Sequence, residues 1–252
     1  MSRFGLDTDR MPAPSDLERS RYARMRWNTP LSEEHAQLLL ERLDIRPGAS
    51  LLDLGCGWGE LLLRAVNSAG VTTGVGVDSD AHAIARGRAL ALDYGLDGRV
   101  TFIGGSLDAW QQAADRVICI GAAHAWNGAQ AALTALGSLV RPGGRLLFGE
   151  GCWEHPPTDD AVRLFGDDVQ ALDDLVECAK GAGWRILHLS TADQREWDDF
   201  ESTWRAGRQE WLLANPSHEQ ASAVRDELDV QVGQYVATYR GVLGFCYLVL
   251  AR

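Results

Sequence analysis

The stretch LLDLGCGWGE, residues 51–60, carries the clearest chemical signal in the chain. An apolar run holding Asp53 passes into glycines at alternate positions, Gly55, Gly57 and Gly59. Glycines spaced in this way let a strand turn sharply into a helix and let a ligand reach the main chain unobstructed by Cβ atoms. A dinucleotide fingerprint, Gly-x-Gly-x-x-Gly, needs another glycine where Glu60 stands. Asp53 beside the loop also opposes a pyrophosphate, whereas it suits a ligand bearing an ammonium and a sulfonium. These features disfavour an NAD site, and they equally disfavour a glycine turn with no ligand. A second acid, Asp78, closes the run VGVDSD. It follows the loop by about twenty residues, the distance at which a carboxylate accepts hydrogen bonds from ribose hydroxyls.

Reaction chemistry points to His124, just past the apolar run 116–120, at the edge where a second substrate would meet the ligand. An imidazole there can serve as a general base; the alternative is a histidine that packs or hydrogen-bonds the loop. Glu150, with His155 beyond it, is a further candidate for polar contact with substrate. The six histidines and five cysteines form no metal-ligand cluster, and no Cys-x-x-Cys pair occurs, so no metal is expected and the cysteines read as reduced and structural. Nine tryptophans is a high count. Trp126 and Trp153 follow apolar runs at the edge where ligands bind in such sheets, and Trp27, with Tyr22, lies in the first thirty residues. Trp204 and Trp211, seven apart on one helix face, read as core, Trp211 above all.

The elements that must position these residues alternate. Apolar runs predict strands at 50–54, 74–78, 100–103, 116–120, 145–149, 184–191 and 244–251. Helical patterns fall at 60–68, 81–94, 129–139 and 168–182, preceded by a helix opening at 31–32 and a short one over 15–25. The sequence Arg-Pro-Gly-Gly at 141–144 reads as a turn. The order predicts an α/β fold with a doubly wound, mostly parallel sheet. About fifty residues separate the sixth and seventh strands, too many for an unstructured connection, so helices are expected at 202–214 and 217–239. Their apolar residues must be covered, and the expectation is that this insertion and the N-terminal segment together roof the pocket.

Of 252 residues, 46% are hydrophobic, enough for one elaborated domain. The formal charge of −11 and the absence of any Lys/Arg run argue against nucleic acid, whose binding rests on cations replacing counterions. No secretory leader or membrane span is read from the sequence, which points to a cytoplasmic protein.

The motifs resemble, in order, those of class I S-adenosylmethionine (SAM) dependent methyltransferases. LLDLGCGWGE resembles their first motif and VGVDSD their second; VTFIGGSLDAW, RVICIGAAHAW and LVRPGGRLLFGE resemble the next three. The tail ADQREWDDFESTWRAGRQEWLLANP is similar to a narrower bacterial branch, the YjhP-like methyltransferases. The resemblance implies a Rossmann-like seven-stranded sheet with an antiparallel last strand and a helical cap. It divides the chain into a cap segment, 1–30, and a SAM-binding domain, 31–252, with an insertion at 192–243. It implies that Asp53, Gly55 and Gly57 hold the methionine part of SAM, with Cys56 in the same loop. Asp78 would hold the ribose, with Ser79 beside the adenine. Many relatives place an Asp where Ser106 stands; its hydroxyl or Asp108 is the candidate replacement. Leu107 and Trp110 would pack on the base, and Gly121 would admit the cofactor closely. His124 is the candidate base, and Tyr22, Trp27, Trp126, Glu150 and Trp153 are candidate contacts to a small-molecule methyl acceptor. Transfer or cyclisation of the aminocarboxypropyl arm of SAM, and SAM binding without catalysis, are the alternatives.

Overall fold

The computed structural model describes residue 17 and residues 20–68, 73–166 and 168–252. The short helix expected over 15–25 lies partly outside them. In chain order, Ser32 caps α1 (Glu33–Leu43) by accepting from the His35 N–H, and Ala36, Leu39, Leu40 and Leu43 form its buried side. Next come β1 (Ser50–Leu54), α2 (Glu60–Ser68), β2 (Thr73–Asp78), α3 (Ala81–Asp93), β3 (Val100–Gly104) and β4 (Ala114–Ile120). A 3-10 turn, Ala123–Trp126, leads to α4 (Ala129–Leu139) and β5 (Val140–Trp153). Then α5 (Asp159–Phe165), α6 (Leu172–Gly181) and β6 (Arg185–Thr191) precede α7 (Gln194–Ala214) and α8 (Ala221–Gln234). A π-helical turn, Tyr235–Tyr239, joins α8 to β7 (Leu243–Ala251).

The seven strands are ordered β3-β2-β1-β4-β5-β7-β6, with β7 antiparallel to both its neighbours. This is the expected α/β fold: a Rossmann-like, mostly parallel sheet whose last strand runs against the rest. Strand residues alternate between two cores. Leu51, Leu147, Tyr247 and Val249 join α1, α2 and α3 on one face, whereas Leu52, Leu146, Phe148 and Leu248 join α4 and α6 on the other. The strand order reverses direction at β1 and β4, so the carboxyl ends of these strands open a crevice between diverging connections.

Several elements differ from expectation, among them the helix expected at 217–239, which the structure divides into α8 and the π-helical turn. The β4–β5 register jumps from Ala114↔Val140 to Arg116↔Arg145, so residues 141–144 form an irregularity within β5 instead of preceding it. Helix α5 was not expected; Thr158 caps it by accepting from the Ala161 N–H. Helix α7 begins eight residues before the expected 202, because Asp193 and Glu196 form a reciprocal capping box.

Trp211 and Leu212 of α7 pack with Ala221, Val224 and Leu228 in a third, smaller core, which Leu17 also touches. Helix α7 also reaches the N-terminal segment. A Cβ at Gly207 would lie 2.1 Å from the Ser20 carbonyl oxygen, so only glycine permits this approach. Among the described residues, no helix is long and apolar enough to cross a membrane.

Candidate functional site

Strand β1 ends beneath the glycine loop, and the loop is tied to its neighbour: the Gly55 and Cys56 N–H groups both donate to the Val77 carbonyl, at 2.9 and 3.2 Å. Gly55 has φ +76°, and a Cβ there would sit 2.4 Å from the Ala122 Cβ. Any larger residue would be strained and would push the β1 and β4 loops apart. Asp78 fixes the loop from β2. One carboxylate oxygen accepts from the Gly57 N–H at 2.7 Å and the other from the Asp80 N–H at 2.8 Å.

A cavity of about 240 Å³ opens here. Of the residues expected from sequence, it brings together Asp53, Gly55, Cys56, Gly57, Asp78, Ser79, Leu107, Gly121, His124 and Trp27. Its walls also include Arg26, Asn28, Thr29, Trp58 and Glu60, none of which the sequence reading assigned to a site. Trp58 lies inside the glycine motif, so its position was in view. What it touches was not, because its partners come from the N-terminal segment and α3.

The carboxyl groups of Asp53 and Asp78 line the cavity. Asp53 is 4% exposed. Burial first, and the charge of Asp78 second, push its carboxyl from 3.8 up to about 8. Burial, with Asp53 and Asp78 adding to it, likewise raises the Cys56 thiol, which stays protonated and serves as wall rather than nucleophile. Crowded carboxyl groups of this kind oppose a pyrophosphate and favour a cationic ligand, which would relieve their mutual repulsion.

Across the cavity, His124 is exposed on the 3-10 turn. Glu150, at the carboxyl end of β5, accepts from the Ala123 N–H at 3.3 Å and from its neighbour Gly151 at 3.2 Å. Burial raises the Glu150 carboxyl, opposed by these two N–H groups and by nearby His124. The structure thus places Glu150 behind the turn that carries His124.

The remaining candidates lie outside this cavity's walls. Trp153 is 8% exposed and packs edge-on against Phe165 of α5, in the core. Trp126 packs partly buried against the α4-side core. Tyr22 leans on Trp58, ring centroids 6.0 Å apart. Ser106 is exposed and donates to Asp108. Among the described residues, no group of three or more His, Cys, Asp or Glu is placed to hold a metal ion.

Segment 24–31 separates this cavity from a second one of about 470 Å³, and Arg26, Trp27, Thr29 and Leu31 line both. Helix α7 contributes Glu196, Asp199, Phe200 and Thr203 to the second cavity. The N-terminal segment therefore covers the glycine-loop cavity directly, and α7 lies beyond it. None of the residues lining the first cavity comes from α7 or α8.

Comparison with known proteins adds to this geometry. Residues 51–144 match a family described as a methyltransferase domain. The uncharacterized protein YjhP of Escherichia coli (strain K12) is 31% identical over 235 residues, covering 90% of this chain and 94% of the relative. Its X-ray structure superposes with a TM-score of 0.83, covering 95% of this chain and all of YjhP. A SAM-dependent methyltransferase from Geobacter sulfurreducens, solved with S-adenosyl-L-homocysteine, gives a TM-score of 0.84 at 30% identity, covering 94% of this chain and 98% of that one. A SAM-dependent methyltransferase from Thiobacillus denitrificans, also solved with S-adenosyl-L-homocysteine, gives 0.83 at 28% identity, covering 92% and 96%.

Proposed function

The chain belongs to the class I SAM-dependent methyltransferases, in the family of YjhP, and from that premise we propose that it methylates a small-molecule acceptor. The observation that carries this reading is the single cavity in which Asp53, Asp78 and the glycine loop face His124. SAM is the cofactor, and it supplies a methyl already activated on a sulfonium, for in-line displacement by the acceptor. The protein's part is to bind, to orient and to exclude water, and positioning alone lowers such barriers by up to about 7–11 kcal/mol.

The residues present fit the cofactor. Asp53, which lines the cavity with Gly55 and Gly57, would hold its cationic methionine end. Asp78 spends one lone pair of each oxygen on the backbone and offers the others to ribose hydroxyls. Ser79 would lie beside the adenine and Leu107 would pack on it, with Gly121 and Cys56 as close walls, all four lining the cavity. Ser106 stands outside these walls, its hydroxyl turned to Asp108. His124 takes the proton from an acceptor that arrives protonated. Glu150 holds the turn beneath it through Ala123.

Trp27 faces both cavities, and the second cavity gives the acceptor its approach. In this reading 1–30 is a cap segment on a SAM-binding domain of 31–252, and the insertion 192–243 braces the cap. The charge of −11 supports a small acceptor over a nucleic acid.

The test is incubation with methyl-labelled SAM and a metabolite extract, followed by mass spectrometry. A labelled small product with S-adenosyl-L-homocysteine is expected. His124→Ala should lower its rate of formation by about 10²–10⁴-fold, the usual contribution of a general base. Release of methylthioadenosine would instead indicate transfer or cyclisation of the aminocarboxypropyl arm, and no turnover of SAM in any extract would contradict catalysis.

A further inference from the structure

Trp58 lies in the glycine loop, yet its indole is engaged by the N-terminal segment. The ring is 5% exposed, and its Nε1–H donates to the Arg26 carbonyl at 2.7 Å. The Arg86 guanidinium, from α3, lies over the ring at 4.0 Å from its centroid, a cation–π contact. The same guanidinium donates to the Tyr22 carbonyl at 3.0 Å and to the Met25 carbonyl at 2.6 Å. Both contacts stop where the wall shared by the two cavities begins, at Arg26. The far end of that wall is held separately, by Tyr247, whose hydroxyl donates to the Pro30 carbonyl at 2.8 Å and lies 3.0 Å from the Thr29 hydroxyl.

We propose that Trp58 and Arg86 form a clamp that transmits cofactor occupancy of the glycine loop to the shared wall, which makes Trp58 a positioning residue for the acceptor side. The route is continuous. Asp78, the ribose acid, holds the Gly57 N–H; Gly57 precedes Trp58; the Trp58 indole holds the Arg26 carbonyl. A cofactor that fixes Asp78 and Gly57 fixes the indole, and the carbonyl with it. The wall is then ordered before an acceptor arrives, so the acceptor bears less of that ordering entropy. The ion pairs of Arg26 and Arg64 with Glu33 tie the wall to α1 and α2 but bypass the loop. The inference rests on the assignment of the Asp78 cavity to the cofactor.

A demonstrated change at both ends of the route is the evidence such a coupling requires. Amide hydrogen exchange of the full chain supplies it, measured with and without saturating S-adenosyl-L-homocysteine so that occupancy is equal in every protein. In the parent, the ligand should slow exchange at 55–59 and also at 22–29, each on the order of tenfold. Arg86→Ala and Trp58→Phe, the latter keeping a ring but losing the N–H, should keep the loop effect. Their wall effect should fall below about twofold. Arg86→Lys, which restores a cation over the ring, should recover part of it. Wall protection that persists in Arg86→Ala and Trp58→Phe would overturn the clamp, as would a parent protected at the loop alone. A parent unprotected at 55–59 as well would overturn the cofactor assignment on which the clamp rests.

Discussion

At Asp53, burial and a neighbouring acid favour a neutral carboxyl, and a cationic ligand would reverse that preference. Binding of S-adenosyl-L-homocysteine, which carries an ammonium, should therefore release a proton from Asp53 at pH 7. Calorimetry in buffers of different ionisation enthalpy measures it, and Asp53→Asn should abolish that share. The same raised value bears on stability. The folded carboxyl titrates at about 8 against an ordinary 3.8, so its contribution is present below the ordinary value and is lost as pH rises towards 8. Asp53→Asn should thus gain stability over the parent between pH 4 and 8, and parallel pH profiles would contradict this. Asp53, Gly55 and Asp78 were legible in the sequence because one loop and one strand end carry their geometry. The hold of Trp58 on Arg26 was not, because it joins segments thirty-two residues apart. Trp153 misled because a place at a strand end does not say which way the ring turns. Its ring meets Phe165 on a helix the sequence reading had not anticipated.

Among the elements, α7 is fastened at its first turn. Glu196 accepts from the Ser32 N–H at 2.8 Å, from the Ser32 hydroxyl at 2.6 Å, from the Asp193 N–H at 2.9 Å, and pairs with His35 at 3.0 Å. Burial raises its carboxyl, but the hydrogen bonds from His35, Ser32 and Asp193 outweigh burial and bring it to about 2. A depressed value means stability that is present above 4.5 and lost as pH falls towards 2. Glu196→Ala strands these donors and should cost about 1–3 kcal/mol in urea denaturation at pH 7. The variant should also lose less stability than the parent between pH 4.5 and 2. A cost near zero would mean that α7 is held by its apolar face alone. The capping box that starts α7, Asp193 with Glu196, is a local signal and was readable; the reading began the helix at 202 instead. The π-helical turn at Tyr235–Tyr239 was not readable, since the expected helix ran unbroken to 239. There the Tyr235 and Tyr239 hydroxyls bind Asp198 and Glu201 of α7, partners that only the tertiary structure supplies.

For the molecule as a whole, the alternation of strands and helices and the mostly parallel sheet were legible because each βα unit repeats the same local pattern, and the two cores follow from alternation along β1, β5 and β7. How the two added segments stack was not legible. The N-terminal segment lies on the glycine-loop cavity and α7 lies on the far side of that segment, so the roof is layered instead of shared. The central claim is that this fold presents one cavity lined by Asp53 and Asp78, at the switch point of the sheet, for SAM rather than for a dinucleotide. Calorimetric titration of the metal-free protein with S-adenosyl-L-homocysteine tests it most directly, with NADH and the Asp78→Ala variant as comparisons. The account expects saturable 1:1 binding to the parent without added metal. The variant should bind about tenfold to a hundredfold more weakly, the worth of hydrogen bonds to a charged group. NADH should bind far less well. Tighter binding of NADH, or equal binding of S-adenosyl-L-homocysteine by parent and Asp78→Ala, would contradict the account.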